Sequence, residues 1–216
     1  MYCGTIDDVS RDHVVPRCLF IRPYLQNPIT VPTCDRCNGE KSLDDAFLRD
    51  FLTIDFRGSQ NPTAQALFGT KVQRSLRRNS SDLLKSTLPN VRVRSLHTRG
   101  GIYIGDFPQG QFDGDRLRRI IAKMVRGLYY DALKERIPED YHVDVQCHDP
   151  WNYYSVLEVF KRLHMNGPRV IGNVFGCAYA KATEDRFVTL WALWFYERVL
   201  FTASTDLSSE DSREGA

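Results

Sequence analysis

The alternation of apolar and polar positions predicts two short strands at the start of the chain, over residues 12–15 and 29–32, on either side of a proline-interrupted loop. From residue 37 to about 55, Leu43, Phe47, Leu48, Phe51, Leu52 and Ile54 fall mostly at three- and four-residue spacing, which predicts an amphipathic helix of some four turns. The first segment therefore reads as strand, strand, helix. Residues 63–88 read as helical in two pieces, interrupted near residues 78–82. Two alternating runs, 91–96 and 102–104, flank the turn Arg99-Gly100-Gly101 and predict a hairpin.

A long helix follows over 113–136, with Leu117, Ile120, Ile121, Met124, Leu128 and Leu133 on one face and Arg116, Arg119, Lys123 and Arg126 showing basic groups to solvent on another. The pattern then predicts a strand at 143–145, a helix over 151–164 and one strand each in 170–180 and 187–201. Together these give an α+β class, with an antiparallel sheet carrying its helices on one face. The implied organisation is an N-terminal ββα unit (1–56), a basic helical connector (57–88), an α+β region (89–203) and a disordered acidic tail (204–216).

The chain has 216 residues, 42% of them hydrophobic, enough to bury a core and too apolar for global disorder. No apolar run approaches the length of a membrane-spanning helix. Residues 1–8 have neither a basic region nor an apolar one, so no secretory signal is expected, and a reducing, cytoplasmic location is. The six cysteines are then expected as thiols or metal ligands. Net charge is only +2, but its distribution is uneven: between residues 71 and 99 stand eight basic residues against the single acid Asp82. Alone, such a stretch reads equally as a solvated helix face or as a polyanion contact.

Chemistry is concentrated near the start. Cys34-Asp35-Arg36-Cys37 has the spacing at which two thiolates reach one tetrahedral zinc. Cys3, followed by glycine, is the natural third ligand, and the fourth falls to Cys18, a water or a donor the sequence does not identify. Asp12-His13 in the first predicted strand lets two neighbouring side chains diverge, the acid toward a divalent cation and the imidazole toward a water. Asn38 follows the knuckle directly, where a side-chain carbonyl serves as a helix N-cap or as a metal ligand. Cys147 and Cys177 read as buried side chains in strands, and Trp191, Trp194 and Phe195 as core. His97, His142, His148 and His164 have no metal spacing.

Asp12-His13-x-x-Pro16, then Cys34-x-x-Cys37-Asn38-x-x-Lys41 within a ββα frame, resembles the HNH, or His-Me finger, endonucleases of the zinc-knuckle bacterial type. The resemblance covers about residues 3–45. It implies that His13 is the general base, that Asp12 and Asn38 hold one Mg²⁺ or Mn²⁺, and that Cys3, Cys34 and Cys37 hold a structural Zn²⁺. Asn27 is the candidate for the asparagine that orients the catalytic histidine, although Ile29 stands where the pattern would place it. Arg17 and Lys41, with Arg74, Arg77 and Arg78, are expected on phosphate. Asp44 or Asp45 would be a further metal ligand or a surface acid pairing with Arg49. The expected substrate is nucleic acid, DNA first, with no membrane partner. A double-strand break would take two chains or two encounters, so a homodimer or a partner protein is expected there. The alternative is a non-catalytic zinc-knuckle nucleic-acid-binding or regulatory protein, which keeps the cysteines and does not need His13.

Overall fold

Valine, threonine and isoleucine around a proline-rich loop favour extended backbone, and the chain opens with β1 (Val9–His13) paired antiparallel to β2 (Thr30–Cys34). The register sets Asp12 opposite Val31 and His13 opposite Thr30. The computed structural model describes residues 9–23, 28–78, 82–87, 91–98, 100–110, 112–149 and 153–207. Cys3, Asn27 and most of the expected acidic tail lie outside them.

Helix α1 (Asp35–Ile54) starts directly after β2, two residues before its expected start. Cys34, extended at φ −78° and ψ 155°, is the N-cap residue, and Asp35 puts a carboxylate in the first turn, where the helix dipole favours it. Asn38 is therefore inside the helix and does not cap it. The buried face of α1 carries Phe47, Leu48, Phe51 and Leu52 of the spaced apolar set, whereas Leu43 and Ile54 are exposed.

The connector is helical in pieces. α2 (Pro62–Leu67) is capped by Asn61, whose side chain accepts from the Thr63 amide at 2.9 Å and donates to the Asn173 carbonyl at 3.0 Å. A π-helical turn over Phe68–Val72 runs into α3 (Gln73–Arg77), and α4 is Asp82–Thr87; residues 79–81 of the expected interruption lie outside the described residues. The predicted hairpin forms from β3 (Arg92–His97) and β4 (Tyr103–Gln109) as a separate two-stranded sheet, with every β3 residue exposed.

α5 (Gly114–Leu133) begins at Asp113, whose carboxylate accepts from the Arg116 amide at 2.8 Å, and ends where Lys134 turns left-handed at φ 59°. Its apolar face is buried as predicted, but three of its basic residues are used inside the protein. Arg116 pairs with Asp44 at 2.8 Å, Lys123 donates to the Cys37 carbonyl at 2.9 Å and Arg126 donates to the Tyr141 carbonyl at 2.6 Å.

The C-terminal sheet has five antiparallel strands in the order β5-β9-β8-β7-β6: β5 (Tyr141–Cys147), β6 (Asn166–Ile171), β7 (Phe175–Lys181), β8 (Thr189–Phe195) and β9 (Val199–Leu207), with α6 (Tyr153–Arg162) between β5 and β6. The two strands expected over 170–180 and 187–201 are thus two hairpins. The first reverses at Gly172 (φ 54°), the second at Tyr196 (φ 49°) and Glu197 (φ 64°). Gly176 is required by packing: a Cβ there would lie 2.1 Å from the Trp194 ring.

Along β8, Trp191, Leu193 and Phe195 join α1 and α5 in the main core, while Ala192, with Leu190 and Trp194, joins Phe160 of α6. Helices therefore cover both faces of the sheet, because both alternating sets of β8 are apolar. Trp194 is only partly buried. Cys177 is buried as expected, whereas Cys147, at the end of β5, is exposed. The main core is continuous from Val14 to Ala203. Among the described residues no helix is long and apolar enough to cross a membrane.

Candidate active site

Strand alternation sends neighbouring side chains of β1 to opposite faces. Ser10 and Asp12 face α1. There Asn38 donates its amide to the Ser10 hydroxyl at 3.2 Å, and the Lys41 ammonium reaches the Asp12 carboxylate at 2.9 Å and the His13 carbonyl. Asp12 is 3% exposed and Lys41 5%, so this pair is shut off from solvent. The expectation that Lys41 contacts phosphate is corrected: its ammonium is an internal counterion. One turn further along α1, Asp45 stands 3.8 Å from the same ammonium. The pairings expected for these acids are corrected too, since Asp44 binds Arg116 and Arg49 binds Asp50.

Asp45 was readable only as one of two acids; packing makes it distinctive. Its Oδ1 is buried and has no hydrogen-bond partner. Burial pushes its pKa up from 3.8 to about 7, with Lys41 opposing the rise and Asp12 adding to it. A carboxyl that keeps its proton in the fold, at a pH where the unfolded chain has released it, contributes stability that is complete below pH 3.8 and is lost as pH rises through about 7. Asp45→Asn cannot ionise and is expected to remove that slope. Urea midpoints in EDTA from pH 4 to 8 check this, and parallel curves for the two proteins would contradict it.

His13 points the other way. It is half-buried and lines a cleft of about 300 Å³, whose walls include Val15, Phe20, Ile29 and Ile171 and whose polar groups include Arg17. Burial lowers its pKa below 6.5, and the Arg17 guanidinium lowers it further, against a smaller opposing pull from Asp12. The imidazole is therefore neutral at pH 7 and able to accept a proton. The sequence gives no sign of Ile171, which comes from the end of β6, over 150 residues from His13.

Cys34 and Cys37 are both buried at the start of α1. They are two of the donors that a tetrahedral zinc takes. Cys18 is not near them: its thiol donates to the Asp45 carbonyl at 3.2 Å, eight residues and about 12 Å along α1 from Cys37. Burial and Asp45 push the Cys18 thiol up to about 12, so it stays protonated. The possible fourth zinc ligand is corrected on both grounds.

The donors proposed for a divalent cation are hard oxygens, the Asp12 carboxylate and the Asn38 side-chain carbonyl, as the resemblance implies. This chemistry fits Mg²⁺ or Mn²⁺. In the present arrangement the Lys41 ammonium supplies the positive charge between the Asp12 and Asp45 carboxylates. Among the described residues no three His, Cys, Asp or Glu side chains already converge on a metal position.

Arg17, Arg74, Arg77 and Arg78 are exposed, and Arg74 also donates to the Thr70 carbonyl at 2.7 Å. No protein-family model matches the chain, and no curated protein and no solved structure matches it either.

Proposed function

We propose that the chain is an endonuclease of the HNH, or His-Me finger, type, hydrolysing phosphodiester bonds of nucleic acid, with DNA as the first substrate. The observation that carries this reading is His13: the last residue of β1 in a ββα unit, half-buried at a cleft beside Arg17, with its neutral form favoured. His13 takes a proton from a water. The resulting hydroxide bonds to phosphorus, the bond from phosphorus to the 3′ oxygen breaks, and that oxygen leaves with a proton from solvent. Arg17 offsets the charge that grows on the phosphate oxygens.

Asp12 and Asn38 are the residues that would hold Mg²⁺ or Mn²⁺, with Lys41 displaced. When bound, the ion supplies Lewis-acid stabilisation of the phosphoryl group and of the leaving oxygen. Cys34 and Cys37, with Cys3, would hold a structural zinc. The exposed Arg74, Arg77 and Arg78 contact phosphates away from the cut, which makes binding strongly salt-dependent.

A second reading, a non-catalytic nucleic-acid-binding protein, has one observation in its favour. Asp12 and Asn38 already have partners inside the protein, in Lys41 and Ser10. Incubation with supercoiled plasmid and with single-stranded DNA, in Mg²⁺, in Mn²⁺ or in EDTA, separates the two. Cutting in divalent metal that stops in EDTA is the expected result. Salt-sensitive binding with no cutting in any metal would move the assignment to the second reading.

A further inference from the structure

We propose that the cleft beside His13 seats one unstacked nucleobase of the strand being cut, so that the enzyme acts on single-stranded or locally opened nucleic acid. This inference rests on the reading of His13 as the base that activates water.

The cleft is built from both ends of the chain. Val15 and Phe20 come from the loop after β1, Ile29 from the approach to β2 and Ile171 from the C-terminal sheet. Val15, Phe20 and Ile29 are 4%, 8% and 1% exposed, so these walls are fixed by the core and not by mobile surface side chains. Its lining is mainly apolar, and its polar side chains, His13 and Arg17, are those nearest the proposed chemistry.

That order of surfaces is the order of a nucleotide. An apolar wall with an aromatic ring takes a base, and a guanidinium beside it donates to the oxygens of the adjoining phosphate. A free phosphate would make no use of the apolar walls. An uncharged apolar ligand would make no use of Arg17. A paired duplex keeps its bases stacked and presents only backbone and groove edges, so one base must leave the stack to enter the cleft. Single strands offer that base without an unpairing cost. Stacking does not distinguish one base from another, so the seat selects strand state over sequence.

The test is binding in EDTA, where no cutting intervenes, of a 12-nucleotide thymidine strand and of an abasic 12-mer with the same phosphates. The expected result is affinity at least tenfold higher for the strand with bases. Ile171→Trp, which fills the cleft from the sheet side, is expected to abolish that difference and leave binding of the abasic strand unchanged. Equal affinities in the unaltered protein, or a difference that survives Ile171→Trp in a folded protein, would overturn the proposal.

Photo-crosslinking of a 5-iodouracil strand to the unaltered protein needs no variant. A crosslinked peptide containing Phe20 is expected, and crosslinks confined to other peptides would overturn the seat. A positive result in these assays without cutting in Mg²⁺ or Mn²⁺ would remove the nuclease reading and leave the base seat standing. Cutting without a base preference would do the reverse.

Discussion

Lys41→Met is expected to destabilise the protein by about 3–5 kcal/mol, the cost of leaving a buried carboxylate without its cation. The Asp12 and Lys41 side chains are 4% and 6% exposed, so water cannot replace the ammonium. Asp45, 3.8 Å from the same ammonium, would then face Asp12 with no positive charge between them. Methionine keeps the length and volume of the aliphatic stem, so the loss is that of the ammonium, with its charge and its hydrogen bond to the His13 carbonyl. For a chain of this size, about 2–4 °C of melting temperature accompanies each kcal/mol, which puts the expected fall at roughly 6–20 °C. Asp12→Asn in the same protein is expected to recover most of it, because no buried charge then remains. Mg²⁺ or Mn²⁺ should raise the melting temperature of Lys41→Met more than that of the unaltered protein, since the ion takes over the ammonium's place. A change under about 1 kcal/mol, or no difference in metal response, would contradict this account of the Asp12, Lys41 and Asp45 cluster.

His13→Ala is expected to lower the cleavage rate about 10²- to 10⁴-fold, the usual contribution of a positioned general base. Stability should change by about 0.5 kcal/mol or less, because the imidazole is half-exposed and no core packing depends on it. The pH dependence has a definite sign. Burial and Arg17 hold the His13 pKa below 6.5, so the base form dominates at neutral pH and the rate should fall only in acid, with a midpoint below 6.5. His13→Ala should lack that acid limb. An unchanged limb in the variant would assign the titration to another group.

The frame of the site was legible in the sequence. Period-two and period-3.6 patterns placed β2 and α1 to within two residues but caught only the end of β1, which runs over Val9–His13 where 12–15 was expected, and the Cys34-x-x-Cys37 spacing lies at the β2-to-α1 junction. The role of Lys41 was not legible. Helical spacing sets Lys41 beside Asp45, but only the packing of β1 against α1 brings the buried Asp12 to the same ammonium. The hairpin between β8 and β9 was hidden because its turn uses Tyr196 and Glu197 at positive φ, where Gly, Asn or Asp would have announced it. Packing enforces that turn: Tyr196 is fully buried and its hydroxyl donates to the Leu19 carbonyl at 3.1 Å, tying the sheet to the ββα unit. The same long-range assembly brings Ile171 to His13. No local pattern records a contact between residues so far apart in the chain.

The claim that His13 is the base of a phosphodiester hydrolase is tested most directly by single-turnover cleavage of single-stranded DNA at pH 7.5. The unaltered protein and His13→Ala are compared at equal zinc content in Mg²⁺, Mn²⁺ and EDTA. The account predicts metal-dependent product from the unaltered protein and a rate at least about 100-fold lower from a His13→Ala protein that still binds the strand. Equal rates for the two proteins would contradict it.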